Sequence, residues 1–203
     1  MGRDRGPVGK VSRNLETNIA ETPKIAALMK ARPFRSGQHG KNRKKQSEYA
    51  LQLQEKQRLR LRFGLREKQM RKYYDVANRK KGNTGTILLQ LLERRADNLL
   101  FRAGFALTRR QARQVCTHGH ILINGVACDV PSIQLRPGDV LSIREKSQDF
   151  IKSTIEVNSL ITDGTSWLTV DKEALAIRVD RLPEREEMDA ETRENLIIEY
   201  YSR

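Results

Sequence analysis

Arg109, Arg110 and Arg113 lie within a turn and a half of one another if the stretch after Thr108 coils into a helix. A guanidinium is a planar fork of N–H donors that matches phosphate oxygens, so this grouping points to phosphate recognition. Thr108 and Gln111 have the spacing of a capping box, which starts the helix at Arg109. A helix N-terminus adds partial positive charge of its own. Gln111 therefore belongs to the same candidate site. His118 and His120 follow. RNA contact, metal ligation and plain surface exposure are all open to them, and the lack of a carboxylate or thiol at ligand spacing favours RNA-facing residues over a metal. No aromatic side chain interrupts the set, so recognition should follow backbone shape more than single bases.

Other chemistries are poorly provided for. There is no Cys/His nucleophile pair and no cofactor-binding glycine loop. Gly6-Pro7-Val8-Gly9-Lys10 superficially looks like a phosphate loop, but the spacing is wrong and Val11 stands where Ser or Thr is needed. The two cysteines, Cys116 and Cys128, cannot supply four thiol ligands and read as small core residues. No cofactor, metal or catalytic residue is expected.

The remaining cations are unevenly spread. Of 203 residues, 39 are Lys or Arg and 25 Asp or Glu, a formal net charge of +14. Residues 1–90 carry 23 basic against 7 acidic side chains, residues 91–150 carry 9 against 6, and residues 151–203 carry 7 against 12. The first half is thus the electrostatic footprint for a polyanion. Within it, Arg3, Arg5, Arg13, Arg71, Lys72, Arg79, Lys80 and Lys81 join the candidate RNA-binding set. Lys41, Arg43, Lys44 and Lys45 read either as a flexible charged loop or as a path for single-stranded RNA, and a mobile basic loop serves both. Arg58, Arg60 and Arg62 read as a solvated face. No apolar run approaches the roughly 20 residues that span a bilayer, and the N-terminus has no secretory h-region. The expectation is a soluble, intracellular, basic protein with no membrane partner.

Several elements must position these groups. Residues 1–46 read as an extended, loop-rich basic arm, punctuated by Gly and Pro, with one short helix near Ile25–Lys30. Ser47 caps a helix to about Phe63, stopped by Gly64. Met70, Tyr73, Tyr74 and Ala77 mark the core face of a helix over 66–81. Further helices are predicted over 86–95 and 97–103. After the helix begun by Thr108 and closed by Gly119, Ile121–Ile123 and Val126–Cys128 form a hairpin around Asn124-Gly125, a type I′ signal. Val140–Ile143 follows as a last strand of this unit. Trp167–Val170 and Leu196–Tyr201 read as strands, the second tying the C-terminus into a sheet. The fold class is α+β: a mainly helical domain from both ends of the chain (1–46 with 47–94, rejoined by 151–203). Into it is inserted a small RNA-binding module (95–150) of two helices on a curled antiparallel sheet.

The module's Arg95-Ala96-Asp97-Asn98, Thr108–Arg113 and Gly119–Gly125 occur in order with Gly6-Pro7, Gly37-Gln38-His39-Gly40, Ser47-Glu48-Tyr49, Glu55-Lys56-Gln57, Lys81–Gly85, Leu92-Glu93, Arg136–Asp139, Arg144–Ser147 and Glu199–Arg203. On these residues, over nearly its full length, the chain resembles the bacterial-type small-subunit ribosomal protein S-four family. It resembles the zinc-free branch: two of the positions where many relatives carry zinc-binding cysteines correspond to Gly9 and Ser12. The resemblance implies a structural constituent of the small ribosomal subunit that binds the 5′ domain of its RNA early in assembly. It implies packing against ribosomal protein S-five, and a place for the loop around Lys41–Lys45 at the messenger RNA entry tunnel, contributing to translation and its accuracy. The implied location is a ribosome in the cytoplasm, an organelle ribosome being compatible too. Without zinc, the N-terminal arm is expected to order through RNA contacts alone. The alternative is an RNA-modifying enzyme or RNA-binding regulator that carries the same module, but the flanks offer no catalytic motif.

Overall fold

A computed structural model describes residues 6–42, 45–158, 165–189 and 191–203. The chain divides into two compact units, residues 1–88 with 191–203 and residues 89–190. Helices and an antiparallel sheet together make it an α+β protein.

The first unit holds α1 (Val8–Leu15), α2 (Pro23–Ala31), α3 (Glu48–Arg62), α4 (Glu67–Asn78), the start of α5 (Thr84–Glu93) and, from the end of the chain, α9 (Glu194–Ser202). The Ser47 hydroxyl accepts the Ala50 N–H at 3.3 Å and so caps α3. At its other end Gly64 takes φ 62°. The Leu65 N–H then reaches the Arg60 carbonyl at 2.8 Å, and the Gly64 N–H reaches Leu61 at 3.1 Å. This is a Schellman ending, and it delivers Leu65, fully buried, to the core. Met70, Tyr74 and Ala77 are the buried side of α4, while Tyr73 is only half-buried. Helix α5 begins two residues earlier than its apolar pattern, because the Asn83 side chain accepts the Gly85 and Thr86 N–H groups at 2.9 and 3.3 Å.

Two expectations for this unit are corrected. The arm is not extended throughout: beside the short helix expected near Ile25–Lys30, which is α2, it carries α1. It is clasped by its own polar groups. The Arg13 guanidinium donates to the carbonyls of Phe34 (2.8 Å) and Arg35 (3.2 Å). Asn14 accepts from the Ser36 N–H (2.9 Å) and hydroxyl (2.8 Å), and Glu16 pairs with Arg35 at 3.3 Å. Ser12, fully buried, accepts the Ile19 N–H, and Arg58 of α3 donates to the Leu15 carbonyl at 2.8 Å.

The C-terminal segment is likewise not a strand. Its β-branched and aromatic composition suits a strand, but Ile197 and Tyr201 stand i, i+4, and as a helix both face inward. Helix α3 offers that face a partner: Gln52 donates to Glu199 at 2.9 Å, and Glu55 accepts the Arg193 N–H at 3.0 Å. Lys56, only 3% exposed, is held between the Glu67 carboxylate (3.0 Å) and the Tyr200 ring (4.3 Å). Tyr201 stacks on Tyr74 at 4.8 Å and donates to Glu67 at 2.7 Å.

The second unit holds α6 (Ala96–Arg102), α7 (Arg109–Thr117), α8 (Gln148–Asn158) and a sheet in the order β2-β1-β3-β5-β4, antiparallel throughout. Its strands are β1 (Ile121–Ile123), β2 (Val126–Cys128), β3 (Val140–Ile143), β4 (Leu168–Asp171) and β5 (Ala176–Val179). Asn124 and Gly125 take φ 50° and 80°, as a type I′ turn requires, and pair Ile123 with Val126. Strand β3 is not the last strand of the sheet: Leu141 pairs with Ile177 of β5, and Val170 of β4 pairs with the same residue from the far side. The core gathers Leu99, Leu100, Phe105, Ile121, Leu141 and Trp167 between helices and sheet. Cys116 is buried there, and Cys128 packs against it.

Candidate nucleic-acid interface

Helix α7 starts as its sequence dictates. The Thr108 hydroxyl accepts the Gln111 N–H at 3.2 Å, and the Gln111 side chain accepts the Leu107 N–H at 2.8 Å. Gln111 thus shapes the helix start. With the helix set, the three arginines part company. Arg110 is exposed. Arg113 is turned inward, 8% exposed, with Nη1 3.3 Å from the Asp97 carboxylate. Asp97 also holds Arg95, which is fully buried, through bonds of 2.9 and 2.6 Å. Arg109 is half-buried: its Nε donates to Asn98 Oδ1 at 2.8 Å, and its guanidinium lies 4.3 Å over the Phe101 ring.

Asn98 belongs to a second buried centre. Its Nδ2 donates to the Glu93 carboxylate at 2.6 Å and to the Glu93 carbonyl at 3.0 Å. Arg102 grips the same carboxylate with two bonds, 3.0 and 2.7 Å. Burial by itself would push the Glu93 carboxyl up. The charge and hydrogen bonds of Arg102, with the Arg109 charge and the Asn98 bond, outweigh it and hold the group below the usual carboxylate range. Glu93, Asn98 and Arg102 lie outside the candidate RNA-binding set, although Glu93 and Asn98 are among the residues that carry the family resemblance. The sequence signal that could have found them is the acid at the end of an apolar helix, where the helix dipole disfavours it.

His118 is exposed and His120 half-buried, their rings 6.0 Å apart. His120 Nδ1 bonds the Ser147 hydroxyl at 2.7 Å. Burial lowers the His120 pKa, and His118, Lys146 and Arg144 lower it further. The backbone bond from Arg144 N–H to the His120 carbonyl, 3.0 Å, brings Arg144 and Lys146 to this corner. Neither residue stands out by periodicity.

In the first unit the cations of α4 and of the residues just after it behave differently. Arg71, Lys72, Arg79, Lys80 and Lys81 are all exposed, and Lys68 extends the ridge by one turn. Their positions are complementary to the buried face set by Met70, Tyr74 and Ala77. Among the described residues, Lys68, Lys72, Arg79, Lys80 and Lys81 make no ion pair. Lys41 is exposed and lies 5.4 Å over the Phe34 ring, and Lys45 is exposed. Arg3, Arg5, Arg43 and Lys44 lie outside the described residues. Among the described residues no group of three His, Cys, Asp or Glu side chains could hold a metal ion, and no helix is long and apolar enough to cross a membrane.

Comparison with known proteins joins these observations. Residues 3–93 match the family model of the ribosomal protein S4/S9 N-terminal domain, and residues 94–141 match that of the S4 domain. The chain is 48% identical over 206 residues to a small ribosomal subunit protein uS4 of Geobacillus thermodenitrificans, covering both chains in full. It is 45% identical over 204 residues to the protein of that name from Nocardia farcinica, again in full. End-to-end likeness at that level, with the two family models following one another along the chain, leaves one assignment: the chain belongs to the small ribosomal subunit protein uS4 family.

Proposed function

We propose that this chain is a structural, non-enzymatic constituent of the small ribosomal subunit and binds its ribosomal RNA through the backbone. The observation that carries the reading is the full-length identity of 45–48% to proteins named as small ribosomal subunit uS4. The exposed cationic ridge of α4 with Arg79–Lys81 supports it, since surface cations not held in ion pairs are what a phosphate backbone uses. In this reading Arg71, Lys72, Arg79, Lys80, Lys81, Arg110, His118 and His120 touch RNA, with Arg3 and Arg5 adding charge. Arg13 acts indirectly by holding residues 34–35. Binding at the 5′ domain nucleates assembly. The basic stretch Lys41, Arg43, Lys44 and Lys45 borders the messenger RNA path, and ribosomal protein S-five is the protein neighbour. The chain works on cytoplasmic ribosomes.

Sedimentation of a cell lysate through a sucrose gradient tests this. The chain should co-migrate with the small subunit and survive a moderate salt wash. A chain that stays at the top of the gradient would overturn the structural role. For the isolated complex, log affinity should fall linearly with log salt, by about 0.7–0.9 per phosphate neutralised.

A further inference from the structure

Glu93 is placed where a carboxylate is hard to keep. It is 2% exposed and is the last residue of α5. Burial removes its hydration, and the negative end of the helix dipole repels it. Removing the carboxylate alone would leave the Arg102 guanidinium and the Asn98 amide without their partner. What the carboxylate does there is organise arginines. It receives two bonds from Arg102 and one from Asn98 Nδ2. The amide of Asn98 is thereby fixed with Oδ1 turned to Arg109 Nε at 2.8 Å. The resulting chain runs Arg102–Glu93–Asn98–Arg109. Phe101 supports it as a platform 4.3 Å from the Arg109 guanidinium. Both arginines reach partly to solvent, and Arg109 is the first residue of α7, next to exposed Arg110.

We propose that Glu93 is a positioning residue for RNA binding: directly, and through Asn98, it holds Arg102 and Arg109 in the orientation that meets RNA phosphates. The proposal rests on the RNA-binding function proposed above. It makes Arg102 a phosphate contact and ties the geometry of Arg109, at the start of α7, to a buried acid at the end of α5.

The sign of one substitution tests it. Glu93→Gln removes a negative charge and barely changes volume. If only charge matters, the variant binds RNA more tightly, as neutralising the exposed Asp129 (Asp129→Asn) should. If Glu93 positions the arginines, a Gln with a single acceptor oxygen cannot hold Arg102 by both bonds and Asn98 too. Affinity then falls, by about tenfold, and the salt slope becomes shallower. The measurement uses the full chain and a transcript of the 5′ domain of small-subunit ribosomal RNA, at a temperature where a melting curve shows each variant folded. Arg109→Lys is the second variant, needed if Glu93→Gln does not fold. Lysine keeps the charge but cannot place an Nε–H on Asn98 or lie flat on Phe101, so it should lose as much affinity as Arg109→Ala. Wild-type binding with Glu93→Gln as tight or tighter, or with Arg109→Lys equal to wild type, overturns the positioning role alone. A wild-type chain that does not bind the transcript overturns the RNA-binding function and this proposal with it.

Discussion

Helices α4 and α7 carry similar runs of basic residues and put them to opposite uses. On α4 the cations form an outer ridge with the core on the other side. On α7 two of three arginines are drawn inward to acidic or amide partners on other elements, Arg113 to Asp97 and Arg109 to Asn98. The difference lies outside both helices. Asp97 and Asn98 on α6, with Glu93 at the end of α5, bring acceptors to α7, whereas the ridge of α4 meets none among the described residues. A run of arginines is therefore a contact surface or a structural clasp according to what another segment delivers. The two kinds are separable by experiment: clasp mutations should cost stability, and ridge mutations should cost affinity.

The largest effect is expected at the clasp. Asp97→Ala leaves Arg95 and Arg113 buried without their shared counter-charge, and stability should fall by about 3–5 kcal/mol. Urea denaturation measures it, and a loss below about 1 kcal/mol would place Asp97 on the side of the ridge residues. Acid probes the same region reversibly. Because the folded Glu93 carboxyl lies below its ordinary value of 4.5, it binds fewer protons folded than unfolded as pH falls past that point. Its contribution is complete above about pH 5 and is lost as pH drops through the folded value. Melting curves from pH 6 to 3 should steepen their decline there for wild type, and less so for Glu93→Gln.

The ridge comes next. Lys72→Ala, Arg79→Ala and Lys80→Ala together should leave stability within about 0.5 kcal/mol per site while weakening RNA binding. The slope of log affinity against log salt should shrink by about 0.7–0.9 for each phosphate left without its cation. A triple variant that melts early instead would mean that the ridge is packed, and the contrast with α7 would fail.

The smallest effect is at the joint between the ends of the chain. Tyr201→Phe deletes the hydrogen bond to Glu67 and should cost about 1 kcal/mol. Burial, then the bond to Glu67 and its charge, raise the Tyr201 pKa above its ordinary 10. The unfolded phenol gives up its proton first, so this stabilisation is complete below pH 10 and is lost as pH rises beyond it. Melting temperatures between pH 9 and 11 should fall less for Tyr201→Phe than for wild type.

The readable parts of the fold share a short range. The Ser47 cap, the Thr108–Gln111 pair and the Asn124-Gly125 turn each close within four residues, and all three form as their residue types dictate. Helix α1 is hidden in the sequence because Pro7 and Gly9 read as punctuation, although Pro7 stands at its N-cap, where proline does no harm. Strand β5 escapes notice beside β4 because the turn between them puts Leu175, fully buried, at φ 49°, and no Gly or Asn announces it. In the site, the capping role of Gln111 and the exposure of Arg110 follow from local spacing. The inward turn of Arg113 does not.

From the sequence alone come the α+β class, the basic first half, the caps and the hairpin, and a resemblance that full-length identity then places in the uS4 family. These depend on composition and on interactions between near neighbours, which any stretch of chain carries with it. The tertiary structure decided that residues 194–202 are helical and which arginines are buried. Those outcomes hang on pairs far apart in the chain, Gln52 with Glu199 across 147 residues and Arg113 with Asp97 across 16. A side chain's burial is set by the surface it meets, and that surface exists only once distant segments have packed.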